Sequence, residues 1–105
     1  MSTYIDIDIF DMQITVITSN ADKKAMGWDE DDLGMAGYSE EQNAFFIVLP
    51  TKWDESTTYH EAHHMARMVN EHYGIKTTAQ CHEADAYLME YIVRQIKTTI
   101  YKRKL

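Results

Sequence analysis

Ala44-Phe45-Phe46-Ile47-Val48-Leu49 is a continuous apolar run stopped by Pro50. A run of that length without polar alternation has to bury both of its faces, and proline, which lacks an amide hydrogen, ends it. The run is predicted to be a buried strand, so the rest of the chain must cover its two faces. With 105 residues, 45% of them hydrophobic, the chain is long enough for one domain around one core and too short for two.

Nearer the N-terminus, Ile5, Ile7 and Ile9 alternate with Asp6 and Asp8, the period-two pattern of a half-buried strand. The phase slips where Phe10 follows Ile9, and apolar residues resume at Met12, Ile14 and Val16. A tight turn or bulge at Phe10-Asp11-Met12 and a second strand over about 13–18 are expected, which together make a hairpin. Asn20 is expected to cap a short helix through Lys23, Lys24, Ala25 and Met26 that ends near Gly27. Segment 28–43 is acidic and holds Gly34 and Gly37, so it reads mostly as loop, with a short strand around 35–38.

Downstream the period changes. Asp54 and Ser56 can each cap a helix over 56–72, closed by Gly74 with Ile75 after it. A second long helix is predicted over 79–101, with Ala84, Leu88, Tyr91, Ile92, Ile96 and Ile100 forming a core-facing stripe. Met65, Met68 and Met89 read as core filler at helical spacing. The fold class is therefore α+β, a small N-terminal sheet with two long helices after it, without repeats or linkers.

Charge excludes some partners. Residues 1–64 carry 3 basic and 13 acidic side chains, residues 65–105 carry 7 and 4, and the net charge is -7. Nucleic acid is not expected to bind, because a phosphate backbone calls for concentrated Lys and Arg, and the one dense basic run is Lys102-Arg103-Lys104. That tail reads as a solvated helix end. The acidic run Asp29-Glu30-Asp31-Asp32 lacks the order of an EF-hand loop and reads as solvated loop. No membrane partner is expected, since neither a spanning stretch nor a secretory signal is visible, and a lone cysteine, Cys81, agrees with a reducing compartment; the expected location is the cytoplasm.

The chemistry is carried by Tyr59-His60-Glu61-Ala62-His63-His64, a His-Glu-x-x-His pattern on a predicted helix. A four-residue step of about 400° puts His60 and His64 on nearly the same face, one turn apart, where two imidazoles can converge on one cation. Zinc suits neutral imidazole and carboxylate donors, and a catalytic site needs three protein ligands with a fourth position open. Glu61 points to the neighbouring face, placed to act on water held by the ion. With five His and eight Glu in the chain, this pattern would arise by chance roughly 0.02 times.

Glu83, near the start of the second helix, is the preferred third ligand, because a carboxylate leaves the site open for hydrolysis. Asp85, His82, Cys81 and His63 are rivals for that position; a thiolate from Cys81 would favour a structural or thiol-regulated site. His63 is offset about 100° from His64 and is expected to pack or to support. Tyr87, one turn after Glu83, is a candidate donor to a developing oxyanion, with a core tyrosine as the plainer alternative.

With His60-Glu61-Ala62-His63-His64 followed by Glu83-Ala84-Asp85-Ala86-Tyr87-Leu88, the chain resembles small phage-encoded zincin-like proteins with a glutamate third ligand. The resemblance implies zinc on His60, His64 and Glu83, Glu61 as general base, and a minimal zincin core of a small sheet over two helices. It further implies that the strand at 45–49 lies beside an extended substrate chain. A zinc-dependent hydrolase acting on peptide bonds is the first expectation, in the host cytoplasm if phage-encoded. The second is a non-catalytic, zinc-stabilised accessory protein that binds a host or virion protein, the ion tying the two helices together.

Overall fold

The computed structural model of the chain describes residues 3–27, 34–75 and 83–103. The hairpin is present: strand β1 (Thr3–Ile7) pairs antiparallel with β2 (Met12–Ile17), Ile5 opposite Ile14 and Ile7 opposite Met12. The slipped phase at Phe10 is a single 3-10 turn, Asp8–Phe10, after which Asp11 takes a left-handed conformation (φ 48°). A short polar side chain tolerates that geometry because it can bond locally.

Strand β3 (Met35–Ser39) pairs antiparallel with β4 (Ala44–Val48), and β4 runs parallel to β2, with Ile14 beside Phe45 and Val16 beside Ile47. The order across the sheet is β1-β2-β4-β3. The apolar run is thus an interior strand and β3 is an edge. This corrects the expectation that 45–49 lies beside an extended substrate: both hydrogen-bonding edges of β4 are taken by β2 and β3, so a chain added on that side would pair with β3 instead.

Alternation sorts the side chains by face. Ile5, Ile7, Ile14, Val16, Phe45 and Ile47 share one face and are buried in the main core. On the other face Ile17 and Val48 are buried and Phe46 is half-buried, Ile17 and Phe46 sharing a groove with Asp22 and Ala25 of helix α1 (Asn20–Ala25). Ser19, rather than Asn20, caps α1, its Oγ accepting from the Asp22 amide at 3.2 Å.

Helix α2 (Glu55–His72) begins where the Asp54 carboxylate accepts from the Thr57 amide at 2.9 Å. It closes as the sequence implies: Gly74 has φ +78° and the Ile75 amide donates to the Asn70 carbonyl at 2.8 Å, a bond that reaches back over the last turn. Helix α3 (Glu83–Gln95) does not continue as a regular α-helix to 101. Its last turn widens into a π turn, Ile96–Ile100, with the Tyr101 amide donating to the Ile96 carbonyl at 3.2 Å. The expected start of this helix at 79 and the acidic run at 29–32 lie outside the described residues.

The two long helices are antiparallel. At one end Asn70 meets Asp85; at the other the rings of Trp53 and Tyr101 stand edge to face, 5.3 Å apart. The Tyr101 hydroxyl donates to the Pro50 carbonyl at 2.5 Å, and burial, with a smaller effect from the Asp54 carboxylate, pushes its pKa up to about 12. Ala62, Met65, Ala66 and Val69 of α2 and Leu88, Ile92 and Val93 of α3, at three- and four-residue spacing, bury their stripes in the core with the sheet. No helix among the described residues is long and apolar enough to cross a membrane.

Candidate metal site

The buried stripe of α2 fixes where its histidines point. Because Ala62, Met65, Ala66 and Val69 face inward, His60 and His64, about 40° apart around the helix axis, are on the outward side, and both are exposed. Their Nε2 atoms lie 3.2 Å apart and their rings stand edge to face with centroids 4.8 Å apart. Two zinc–nitrogen bonds of about 2.05 Å at a tetrahedral angle span about 3.3 Å. The pair has a spacing close to that bite and would supply two of the three protein ligands a catalytic zinc site takes, and the same 3.2 Å contact is a hydrogen bond between the two rings.

Glu61 leaves the helix at the border between its outward and inward faces and is only 8% exposed. Gly34, at the entry to β3, is what it packs against: a Cβ built there would lie 3.1 Å from Glu61 Cγ, 2.9 Å from Thr57 Cγ2 and 3.1 Å from the Val48 carbonyl oxygen. The stem of Glu61 is thus held in the seam between α2 and the edge strand. His63 is exposed, with its ring centroid 5.8 Å from that of His64.

Glu83 is not brought to the imidazoles in this geometry. Among the described residues no group of three His, Cys, Asp or Glu side chains is arranged to hold a metal ion. The reason is the length of α2, which runs on from His64 to His72 before the chain reverses. With Asp85 against Asn70 and Tyr101 against Trp53, the part of α3 level with His64 is near residue 90, and exposed Glu83 stands roughly 12 Å further along the axis.

Of the rivals, Asp85 is buried and engaged, accepting from the Asn70 amide at 2.7 Å with Arg67 Nη1 at 3.9 Å. Cys81 and His82 lie outside the described residues. Tyr87 is 68% exposed and stands neither with Glu61 nor in the core; with Phe10, Leu88 and Tyr91 it lines an apolar cavity of about 480 Å³. Two participants were not foreseen from the sequence, Gly34 and Asn70. Neither belongs to a local motif, and each acts on a residue distant in sequence.

Comparison of the chain with protein-family models, curated proteins and solved structures finds no match.

Proposed function

We propose that the chain is a zinc-dependent hydrolase acting on peptide bonds, with His60 and His64 as metal ligands and Glu61 as general base. The observation that carries this reading is the 3.2 Å separation of the two Nε2 atoms on one exposed helix face, beside a glutamate held in place by the neighbouring strand. When bound, zinc would supply Lewis-acid chemistry, lowering the pKa of a coordinated water to about 7 and polarising a carbonyl.

The chain's own residues do the rest. Glu61 takes a proton from the attacking water and passes it to the leaving amine. The free edge of β3 offers backbone donors and acceptors to an extended peptide, which would run past Gly34 and so past Glu61. Glu83 belongs to this proposal as third ligand on one condition: the first turn of α3 has to approach the imidazoles, since Glu83 starts about 12 Å along the axis from them. Without that movement, His60 and His64 supply two of the three protein ligands that a catalytic zinc site takes.

The alternative of a zinc-stabilised accessory protein that binds a host or virion protein draws less support. An ion held by His60 and His64 alone links two turns of a single helix and ties no distant segments together. Metal content by mass spectrometry tests the main reading. Untagged native chain is expected to carry one zinc ion and the His60→Ala variant none; native chain free of zinc after reconstitution would overturn it.

A further inference from the structure

We infer that Gly34 is the positioning residue of Glu61, setting the rotamer of the general base by the absence of a side chain. The catalytic consequence rests on the hydrolase reading; the steric one does not.

Gly34 is unlike the turn glycines. Gly27 and Gly74 have φ of +76° and +78° and open space around them, so backbone conformation explains them. Gly34, like Gly37, has no left-handed φ and is crowded; what singles it out is that the crowding comes from side chains of α2. The atoms that a Cβ would meet are the Val48 carbonyl oxygen, Thr57 Cγ2 and Glu61 Cγ, at 2.9 to 3.1 Å. The carbonyl belongs to the β4 backbone, and the two carbons stand one bond beyond the β-carbons of α2. Thr57 Cγ2 is a terminal methyl that turns with χ1, whereas Glu61 Cγ carries the carboxyl end with it.

Relief comes from rotation of Thr57 or of Glu61 about χ1 or from movement of α2; because His60, Glu61 and His64 all ride on α2, it is the χ1 change at Glu61 that shifts the carboxylate relative to the imidazoles. His60 and His64 are on the outward face, and neither supplies one of the three atoms nearest to a Cβ at position 34. A methyl group at position 34 should thus misplace the base and spare the ligands. Gly37 is the internal control: it lies three residues on, within β3, and its Cβ would meet the ring of Phe46 at 2.6 Å instead of a side chain of α2.

The test pairs a thiol probe with turnover. In a Cys81→Ser background, Glu61→Cys is expected to react slowly with a water-soluble disulfide reagent, and adding Gly34→Ala to speed labelling about tenfold or more. Adding Thr57→Ser, which removes one clashing methyl, should restore part of the protection, and G34A/T57S read against T57S serves if G34A alone does not fold. With Glu61 present, G34A should lower kcat about 10- to 100-fold with KM and zinc stoichiometry unchanged. G37A should lower Tm and leave the labelling of Glu61→Cys slow. Labelling that ignores G34A overturns the inference, as does a G34A variant with native kcat. Faster labelling in a chain whose native form turns nothing over keeps the steric role and overturns the hydrolase reading instead.

Discussion

The side-chain amide of Asn70 donates to the carboxylate of Asp85 over 2.7 Å, a buried bond that joins the end of α2 to the start of α3. Removing either partner strands the other in the interior. Asn70→Ala and Asp85→Ala are each expected to lower stability by about 1–3 kcal/mol, read from urea denaturation midpoints at unchanged slope. Midpoints within error of the native chain would mean that water replaces the bond at no cost.

Glu61→Gln keeps the shape of the side chain and removes its basicity. Turnover is expected to fall about 10²- to 10⁴-fold while one zinc ion per chain is retained. Peptide-library cleavage and metal content measured on the same preparation check both halves. Unchanged cleavage would remove Glu61 from the chemistry.

Both proposed ligands, His60 and His64, belong to one helix, so a bound ion should add little to the cohesion of the fold. Chelation is expected to lower Tm by only a few degrees, corresponding to about 1 kcal/mol. Glu83→Ala decides the remaining ligand: a tenfold or greater loss of zinc affinity, about 1.4 kcal/mol, shows that the first turn of α3 reaches the ion. Unaltered affinity shows that it does not.

Tyr101 makes a prediction about alkaline pH. Its hydroxyl has an ordinary pKa of 10.0, raised to about 12 in the folded chain by burial first and the Asp54 carboxylate second. Between these values the unfolded state gives up its proton while the folded state keeps it, so stability falls as pH rises. The contribution is complete below pH 10 and lost on the way to about 12. Tyr101→Phe should flatten that part of the stability profile, measured by denaturation at stepped pH.

Much of this fold could be read from periodicity. Two-residue alternation and its slip at Phe10 located the hairpin, unbroken apolarity located β4, and Asp54 and Gly74 bracketed α2 with few residues of error. Local patterns also placed His60 and His64 on one helical face, because their relationship is set within a single turn. What periodicity could not supply is tertiary. Strand order depends on which edges meet, and it left β1 and β3 at the edges and β4 inside. The position of Glu83 depends on how far α2 continues beyond His64 before the chain turns back, a length visible in the sequence whose effect appears only once the two helices are laid antiparallel. Gly34 was legible as a glycine in a loop, while its partner Glu61 is a contact across the fold.

The outer edge of β3 has a further consequence. Met35-Ala36-Gly37-Tyr38-Ser39 contains no charge and no proline, the usual devices by which an exposed strand repels its own kind. Whatever makes it receptive to a foreign extended segment also makes it receptive to the same strand of another molecule. Self-association should therefore grow with protein concentration and be suppressed by a lysine on that strand.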